Sequence, residues 1–557
     1  MFRLFKSIFP SASPRLRGKS LNSNNFSMFK NRLGILSFIL ILCAACPCFL
    51  PGAENSTHLT EDQIILQILN RLTFGPKPGD LERVKKMGVQ AFLDEQLSPE
   101  KLTDTVCEAD LKRCTTINET IDSLLMEYPQ PGQNIMRPDL RNVILSPRAQ
   151  EDAYGRIYGM VIDLSSAKLT RMVESRRQVY EVMADFWYNH FNVAFDKNEV
   201  QWLTTAYDRD VIRPHVLGKF KDILTAVAKS PAMLCYLDNN DNFADPNFKP
   251  VAQMSMNGKS PSMMMQPMPG QGLRINENYA RELLELHTLG VDSGYTQKDI
   301  IETARVFTGW AVAGLQTDSG YQPVQFKFKA WHHDGNPKII LGQTFDQGGV
   351  AEGDAVLAML AKRPETANRI AFKLCQRFVA DNPPAALVKK VADKFLASDG
   401  DIKETLLALI NSPEFTDPKY YRVKVKTPLE FVASTLRAVD VHPTDWSPAI
   451  RVLESMGQPL FRCEAPTGYP QTANAWVSSA SLLGRTNFAS QLFDYTENGR
   501  EVFNQKPFEG GLQSSFKRLL NDEVSETTRQ TLSKEEASLT PKKLAALVLA
   551  SPDFQRR

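Results

Sequence analysis

Residues 276–290 read Asn-Glu-Asn-Tyr-Ala-Arg-Glu-Leu-Leu-Glu-Leu-His-Thr-Leu-Gly, and they carry a helix's punctuation at both ends. Asn276 suits an N-cap, Glu277 suits the positive end of the dipole, and Gly290 suits a left-handed stop. At about 100° per residue, Glu277, Asn278, Arg281, Glu282, Glu285 and Thr288 share one arc. Tyr279, Leu283, Leu284 and Leu286 occupy the other, with His287 on the apolar side. The same period recurs outward. Ile64, Ile65, Ile68, Leu69 and Leu72 repeat at helical spacing, with Thr60 or Asp62 as the cap. One long helical stretch is expected over 167–192, and others over 208–234, 297–308, 352–379, 385–397, 402–411 and 428–439. Ser230-Pro231, Ser412-Pro413 and Ser551-Pro552 each read as a helix stop, because proline disfavours helix at the residue before it. Val324, Phe326 and Phe328 alternate with Gln325, Lys327 and Lys329, which is the period of a half-buried strand. Asp334-Gly335-Asn336 is then the turn and Lys338–Leu341 the return strand. The expected fold class is all-α, one large multi-helix domain with a small β-hairpin insertion.

The chain has 557 residues, 43% hydrophobic and 23% charged, which excludes disordered, collagen-like and multi-span membrane classes. Its 65 basic residues stand against 63 acidic ones, so no basic excess calls for nucleic acid. The only long apolar run is 33–50, preceded by Lys30 and Arg32 and followed by Pro51-Gly52-Ala53. That pattern is a secretory signal peptide over residues 1–53, with cleavage after Ala53, or alternatively after Ala45. Met28 is an alternative start. A retained anchor helix and a lipoprotein at Cys46 are the competing readings. The expected location is periplasmic, cell-surface or extracellular, with no stable membrane span once the leader is removed. Residues 54–499 are expected to form the main domain and 500–557 a helical extension packed on it. Without residues 1–53 the count is 58 basic against 63 acidic, so a net charge of +2 becomes −5. Five cysteines follow the leader. Cys107 and Cys114 flank a short polar stretch that suits a local disulfide in an oxidising compartment, and Cys235, Cys375 and Cys463 read as core thiols.

No nucleophile elbow, zinc-binding helix or phosphate loop is present, so any site must be assembled from separated segments. The acid–base candidates are Glu277, Glu282, Glu285 and Asp238, with Arg281 as an anion anchor. His190, His287 and His332 are candidate proton carriers or ligands, and Trp187, Asn189, Asn278 and Asp334 candidate binding residues. Each has a plainer reading. Glu277–Arg281 and Arg281–Glu285 are ordinary solvated helix pairs, His190 lies among aromatics, and Asp238 suits a turn. Of His332 and His333, adjacent on an extended segment, only one is expected to face inward. The segment 240–272 reads as a loop or lid. Within it, Met254, Met256, Met263, Met264, Met265 and Met268 offer thioethers suited to Cu(I), or a loop in which methionine is tolerated. Spacing assigns no metal or cofactor.

Taken in order, several strings resemble the bacterial domain of unknown function 1800 family. They include RLTFGPKPGDLERVKKMGVQAFLDEQL, DFWYNHFNV, LTAVAKSPAMLCYLDN and NENYARELLELHTLGVDSGYTQKDI. ARVFTGW, KLCQRFVAD, KVKTPLEFVASTLRA and APTGYPQTANAWVSSASLLGRTNF continue the match to about residue 495. The resemblance implies an exported, mostly helical bacterial protein, often encoded beside another exported family that could supply a partner. It transfers no catalytic role. Two functional classes follow: a hydrolase or lyase acting on envelope or extracellular polymer, or a non-catalytic envelope binding or assembly protein with a buried polar network.

Overall fold

The computed structural model describes residues 58–129, 147–244, 275–315, 322–494, 496–497, 500–501, 504 and 506–557. Residues 1–53, expected to be a leader, and the Met-rich segment 254–268 lie outside them. Thr60 heads the first described helix, α1 (Glu61–Leu72), in a capping box. Its side chain accepts from the Gln63 amide while the Gln63 side chain accepts from the Thr60 amide. The helices named below are α2 (Gln178–His190), α3 (Asn278–Glu282), α4 (Gly349–Ala361), α5 (Pro364–Phe378) and α6 (Pro428–Val439). They pack around one continuous apolar core that runs from Ile65 to Phe554. The all-α reading holds, and the departures from it have local causes.

The stretch 167–192 is two helices, Pro147–Glu174 and α2, with a break at Ser175–Arg177. Side chains satisfy the broken backbone: Asp104 accepts from the Ser175 hydroxyl and the Arg176 amide, and Ser175 accepts from the Arg177 amide. The stretch 352–379 divides into α4 and α5 because Pro364 starts a new helix. The stretch 208–234 breaks into a π-turn, Tyr207–Ile212, and the helices Phe220–Ala228 and Pro231–Tyr236.

The Ser-Pro pairs are joints rather than mere stops. Ser230, Ser412 and Ser551 each donate a hydroxyl to the carbonyl three residues back, closing the preceding helix. Ser230 and Ser551 also accept from the amide three residues on, so one side chain ends a helix and caps the next.

Both expected strands exist but do not pair with each other. β1 (Trp310–Ala313) pairs antiparallel with β2 (Gln325–Phe328), placing Trp310 opposite Phe328. β3 (Lys338–Ile340) pairs with β4 (Gln343–Phe345). Asp334 is the reason. It is fully buried, accepts from Arg305 Nε at 2.6 Å, and binds both the amide and the side chain of Asn336. The segment between β2 and β3 is therefore pinned to the core and cannot reverse as a tight hairpin.

Cys107 and Cys114 are not bridged; all five cysteines among the described residues are free thiols. Cys107 is on the helix Thr105–Leu111, whereas Cys114 lies beyond its end against Ile117 and Ala167. Burial raises both thiol pKa values, that of Cys114 to about 11.

Helix α1 is fastened to segments more than 300 residues further along the chain. Gln67 Nε2 donates to the Phe415 carbonyl (3.2 Å) and Arg71 Nη2 to the Tyr420 carbonyl (2.9 Å). Arg437, on α6, donates Nε to the Gly75 carbonyl at 2.6 Å. Gly75 has φ +98°, and a Cβ there would stand 2.9 Å from Ser434 Cβ, so only glycine lets the two backbones approach.

With all five thiols free, four of them buried and Cys235 part-buried, alkylation of the native protein at neutral pH labels none of them rapidly. Alkylation in denaturant without reductant labels all five, as read by mass spectrometry. A Cys107–Cys114 peptide linked in non-reducing digests is the contrary result.

Candidate functional site

Beyond Glu282, α3 widens into a π-turn, Leu283–Thr288, and the widening decides which way its side chains face. The Leu289 amide donates to the Leu284 carbonyl, five residues back, and the Thr288 hydroxyl to the Leu283 carbonyl. Thr288, placed on the polar arc by a 3.6-residue period, is instead fully buried, as is His287. The helix then stops at Gly290, where φ is +100°. A Cβ on Gly290 would stand 3.2 Å from Arg369 Cδ, so glycine admits the arginine as well as the turn.

A helix end leaves carbonyls without backbone donors. Two of them are taken by side chains from other helices. Arg369 Nε on α5 donates to the Leu286 carbonyl at 3.2 Å, and His190 Nε2 on α2 lies 3.2 Å from the His287 carbonyl. A carbonyl only accepts, so His190 carries its proton on Nε2 and leaves a lone pair on Nδ1. Lys373 Nζ, one turn beyond Arg369 on α5, donates to that Nδ1 at 2.9 Å. The chain of contacts runs Lys373, His190, His287 carbonyl.

The cluster is rich in groups that resist further positive charge. Burial, and then Lys373, holds His190 well below the usual imidazole range. Burial lowers His287 to about 3, with Lys373 and Arg369 adding to the effect. Burial, and then Arg369, lowers Lys373 to about 7. Lys373 is half-buried and forms no ion pair with any carboxylate among the described residues. At the rim, Glu285 Oε2 accepts from the Tyr295 hydroxyl at 3.4 Å and raises the pKa of Arg369 against the larger effect of burial. Glu282 is raised by burial and by Glu285. The chemistry on offer is an amine close to neutrality, a guanidinium one turn away, and weak acids at the edge.

The other sequence candidates are dispersed. Glu277 faces outward, accepting from Arg281 (3.0 Å) and Gln297 (2.7 Å); Arg281 does not pair with Glu285, which the π-turn has rotated away. Asp238 pairs with Lys197 at 2.8 Å on the surface. His332 lies elsewhere, half-buried against Phe243, and burial lowers it to about 4. His333 is the inward member of that pair. Asp334 is spent on Arg305 and Asn336 as described. Trp187 donates Nε1 to the Val216 carbonyl.

The asparagines act as clips on backbone. Asn189 donates to the Tyr469 carbonyl and accepts from the Tyr469 amide, and Asn192 donates to the Cys463 and Ala465 carbonyls. Asn276 Nδ2 and Asn278 Nδ2 donate to the Asp238 and Leu237 carbonyls, so Asn276 is a clip as well as a terminal residue. Among the described residues no three His, Cys, Asp or Glu side chains gather as a metal site, and no helix is long and apolar enough to cross a membrane.

Sequence reasoning missed Arg369 and Lys373. Their signal is two basic residues four apart beside the apolar stripe Ala367, Ile370, Ala371 and Leu374, all buried.

A family model described as a protein of unknown function (DUF1800) matches residues 67–556, beyond the point where the quoted strings end. No curated protein and no solved structure matches the chain.

Because an amine reacts only without its proton, Lys373 should acylate along a curve with its midpoint near pH 7, while ordinary lysines await pH values near 10.4. At pH 7.5, limiting acetic anhydride should modify Lys373 first, as read by peptide mass mapping. Its folded pKa lies below the unfolded value, so its contribution to stability becomes more favourable as pH rises between about 7 and 10. The Lys373→Met variant should lose that part of the pH dependence. Separately, Asn189→Ala leaves the Tyr469 amide and carbonyl unpaired and should cost about 1–3 kcal/mol in urea unfolding.

Proposed function

The chain belongs to the DUF1800 family, and within it we propose an exported lyase acting on an acidic envelope or extracellular polymer. The observation that carries this reading is Lys373: an amine lowered to about 7, hydrogen-bonded to a neutral histidine and free of any carboxylate partner among the described residues. Elimination from a uronate-type unit needs a base for the proton next to the carboxylate, a cation to neutralise that carboxylate, and an acid for the leaving oxygen. Lys373 is the base. Arg369, one turn away, meets the carboxylate. The bond from carbon to the leaving oxygen breaks as the carbon–carbon double bond forms, and Glu282 or Tyr295, both raised, gives a proton to the departing alkoxide oxygen, which leaves as a hydroxyl. His190 holds the Lys373 ammonium through Nδ1 and cannot itself take the proton easily at neutral pH.

A retaining or inverting glycosidase is the poorer fit. That chemistry places two carboxyl groups on opposite sides of the scissile bond. Here Glu277, Glu282 and Glu285 lie along one short helix segment, and the α5 groups of the cluster, Arg369 and Lys373, are cations. The net charge of −5 after the leader supplies no bulk attraction for an acidic polymer, so Arg369 and Lys373 must act locally.

The non-catalytic reading has its own support in the asparagine clips, which use much of the polar sequence to hold backbone. The two separate in one assay. The purified protein is incubated with a panel of uronate polysaccharides and the ultraviolet absorbance of the unsaturated product is followed. Lyase activity is expected, falling about 10²- to 10⁴-fold in Lys373→Met. A flat trace across the panel, or equal rates for the variant, returns the protein to the binding and assembly class.

A further inference from the structure

One turn beyond Lys373 on α5, Arg377 belongs to a second cluster, in which the buried charges do not balance. Arg71, Arg377, Arg485 and Arg557 are each at most 4% exposed, as are Lys424 and Lys426. The acids among them are Glu430, buried at the head of α6, and Asp381, which is part-buried. Lysines can shed a proton when buried, but arginine keeps its charge in proteins. The four arginines alone outnumber the two acids. Even a third acid would still leave one arginine charge unmatched, before either lysine is counted.

The acids are also fully occupied. Glu430 Oε1 accepts from Arg377 and from Arg557 Nη2, and Oε2 accepts from the Thr427 amide. Asp381 accepts from Lys424 and from the Ala473 amide. Arg485 is satisfied by Ser481, Gln555 and the Lys426 carbonyl. Arg71 and Arg557 are not. Each has spent Nη2, on the Tyr420 carbonyl and on Glu430 respectively, and each keeps Nε and Nη1 buried with no hydrogen-bond partner. Arg557 is the charge that acts most strongly on Arg71, and Arg557 also donates Nη2 to the Arg377 carbonyl, so the guanidiniums lie within electrostatic reach of one another. Lys426, beside them, rests its ammonium 3.8 Å from the centre of the Phe554 ring and pairs with no carboxylate among the described residues. Four donor nitrogens on two buried cations, with surplus charge around them, are an arrangement a protein interior tolerates only when an acceptor is present.

We infer that the interior between Arg71 and Arg557 binds a small inorganic oxyanion of the phosphate or sulfate class, which completes the junction of α1, α5 and α6. Several acceptor oxygens on one ion match donors that point from two separate guanidiniums. The ion lies among residues of both chain ends, and so acts as a tie between them. The inference does not depend on the lyase reading, since none of these groups belongs to the Lys373 cluster.

The test uses the full purified protein, unfolded in denaturant and refolded with chloride as the only anion. Phosphate or sulfate is then added at constant ionic strength while the thermal midpoint is followed. The expected result is a saturable rise of about 2–5 °C. Arg71→Met should be insensitive to either ion, because the buried cation that required it is gone. Equilibrium dialysis of the unaltered protein with labelled phosphate should give one site per chain, displaced by sulfate, and stands alone if the variant does not fold. A midpoint indifferent to both ions together with no bound phosphate overturns the proposal. So does an equal rise in Arg71→Met, which marks a general salt effect, or a response to chloride alone.

Discussion

Two carbonyls at the end of one short helix organise the centre of this protein. Leu286 and His287 have no backbone donors left to them, and the fold answers with Arg369 from α5 and His190 from α2. A cationic or N–H donor at a helix C-terminus is favoured both by the orphan acceptors and by the dipole. Because the donors come from different helices, satisfying the two carbonyls also fixes how three helices meet. Lys373 inherits its position from that arrangement. It lies one turn from Arg369 and reaches the only nitrogen of His190 that the cap leaves open. The low basicity of the amine is therefore a by-product of good helix capping, in a place where burial and a guanidinium both disfavour its charge.

How much of this was legible depended on whether the signal was periodic. Helices 385–397 and 428–439 begin and end where their apolar spacing says, and Thr60 caps α1. The π-turn was illegible because a period of 3.6 residues carries no mark of one extra residue in the ring, and Thr288 changed faces as a result. Strand partners were illegible for a different reason. Alternation at Val324–Phe328 identifies a strand, while the partner, Trp310–Ala313, is buried along its whole length and shows no alternation. His190 and His287 were visible as histidines near apolar residues, yet their common feature, a backbone carbonyl between them, is invisible in letters. Arg369 and Lys373 were readable as bases beside an apolar stripe but looked like ordinary helix surface.

The polar letters that make the sequence distinctive serve two masters. Asn189, Asn192, Asn239 and Asn242 each direct side-chain amides at main-chain carbonyls, and Asn239 reaches both Phe307 and Trp310. An amide clip of this kind is specific because it needs a donor and an acceptor at fixed separation, and it is intolerant because a buried half-satisfied partner is costly. Buried arginines work the same way on a larger scale: Arg437 spans from α6 to the Gly75 carbonyl and the Val173 carbonyl. Polar residues thus fasten loops to a helical core that apolar packing alone would leave free to slide.

The fastening of α1 has a consequence in time as well as in space. Gln67 and Arg71 find their acceptors 348 and 349 residues further along the chain, and Gly75 waits for a donor 362 residues away. Made well before its partners, α1 is therefore among the last of the described helices to find its place. Long-range closure of this kind slows folding, and it keeps the early part of the chain uncommitted until most of the sequence is available. Until residues 415–437 have been made α1 has no acceptor or donor to dock on, so the order of synthesis and the order of docking run in opposite directions.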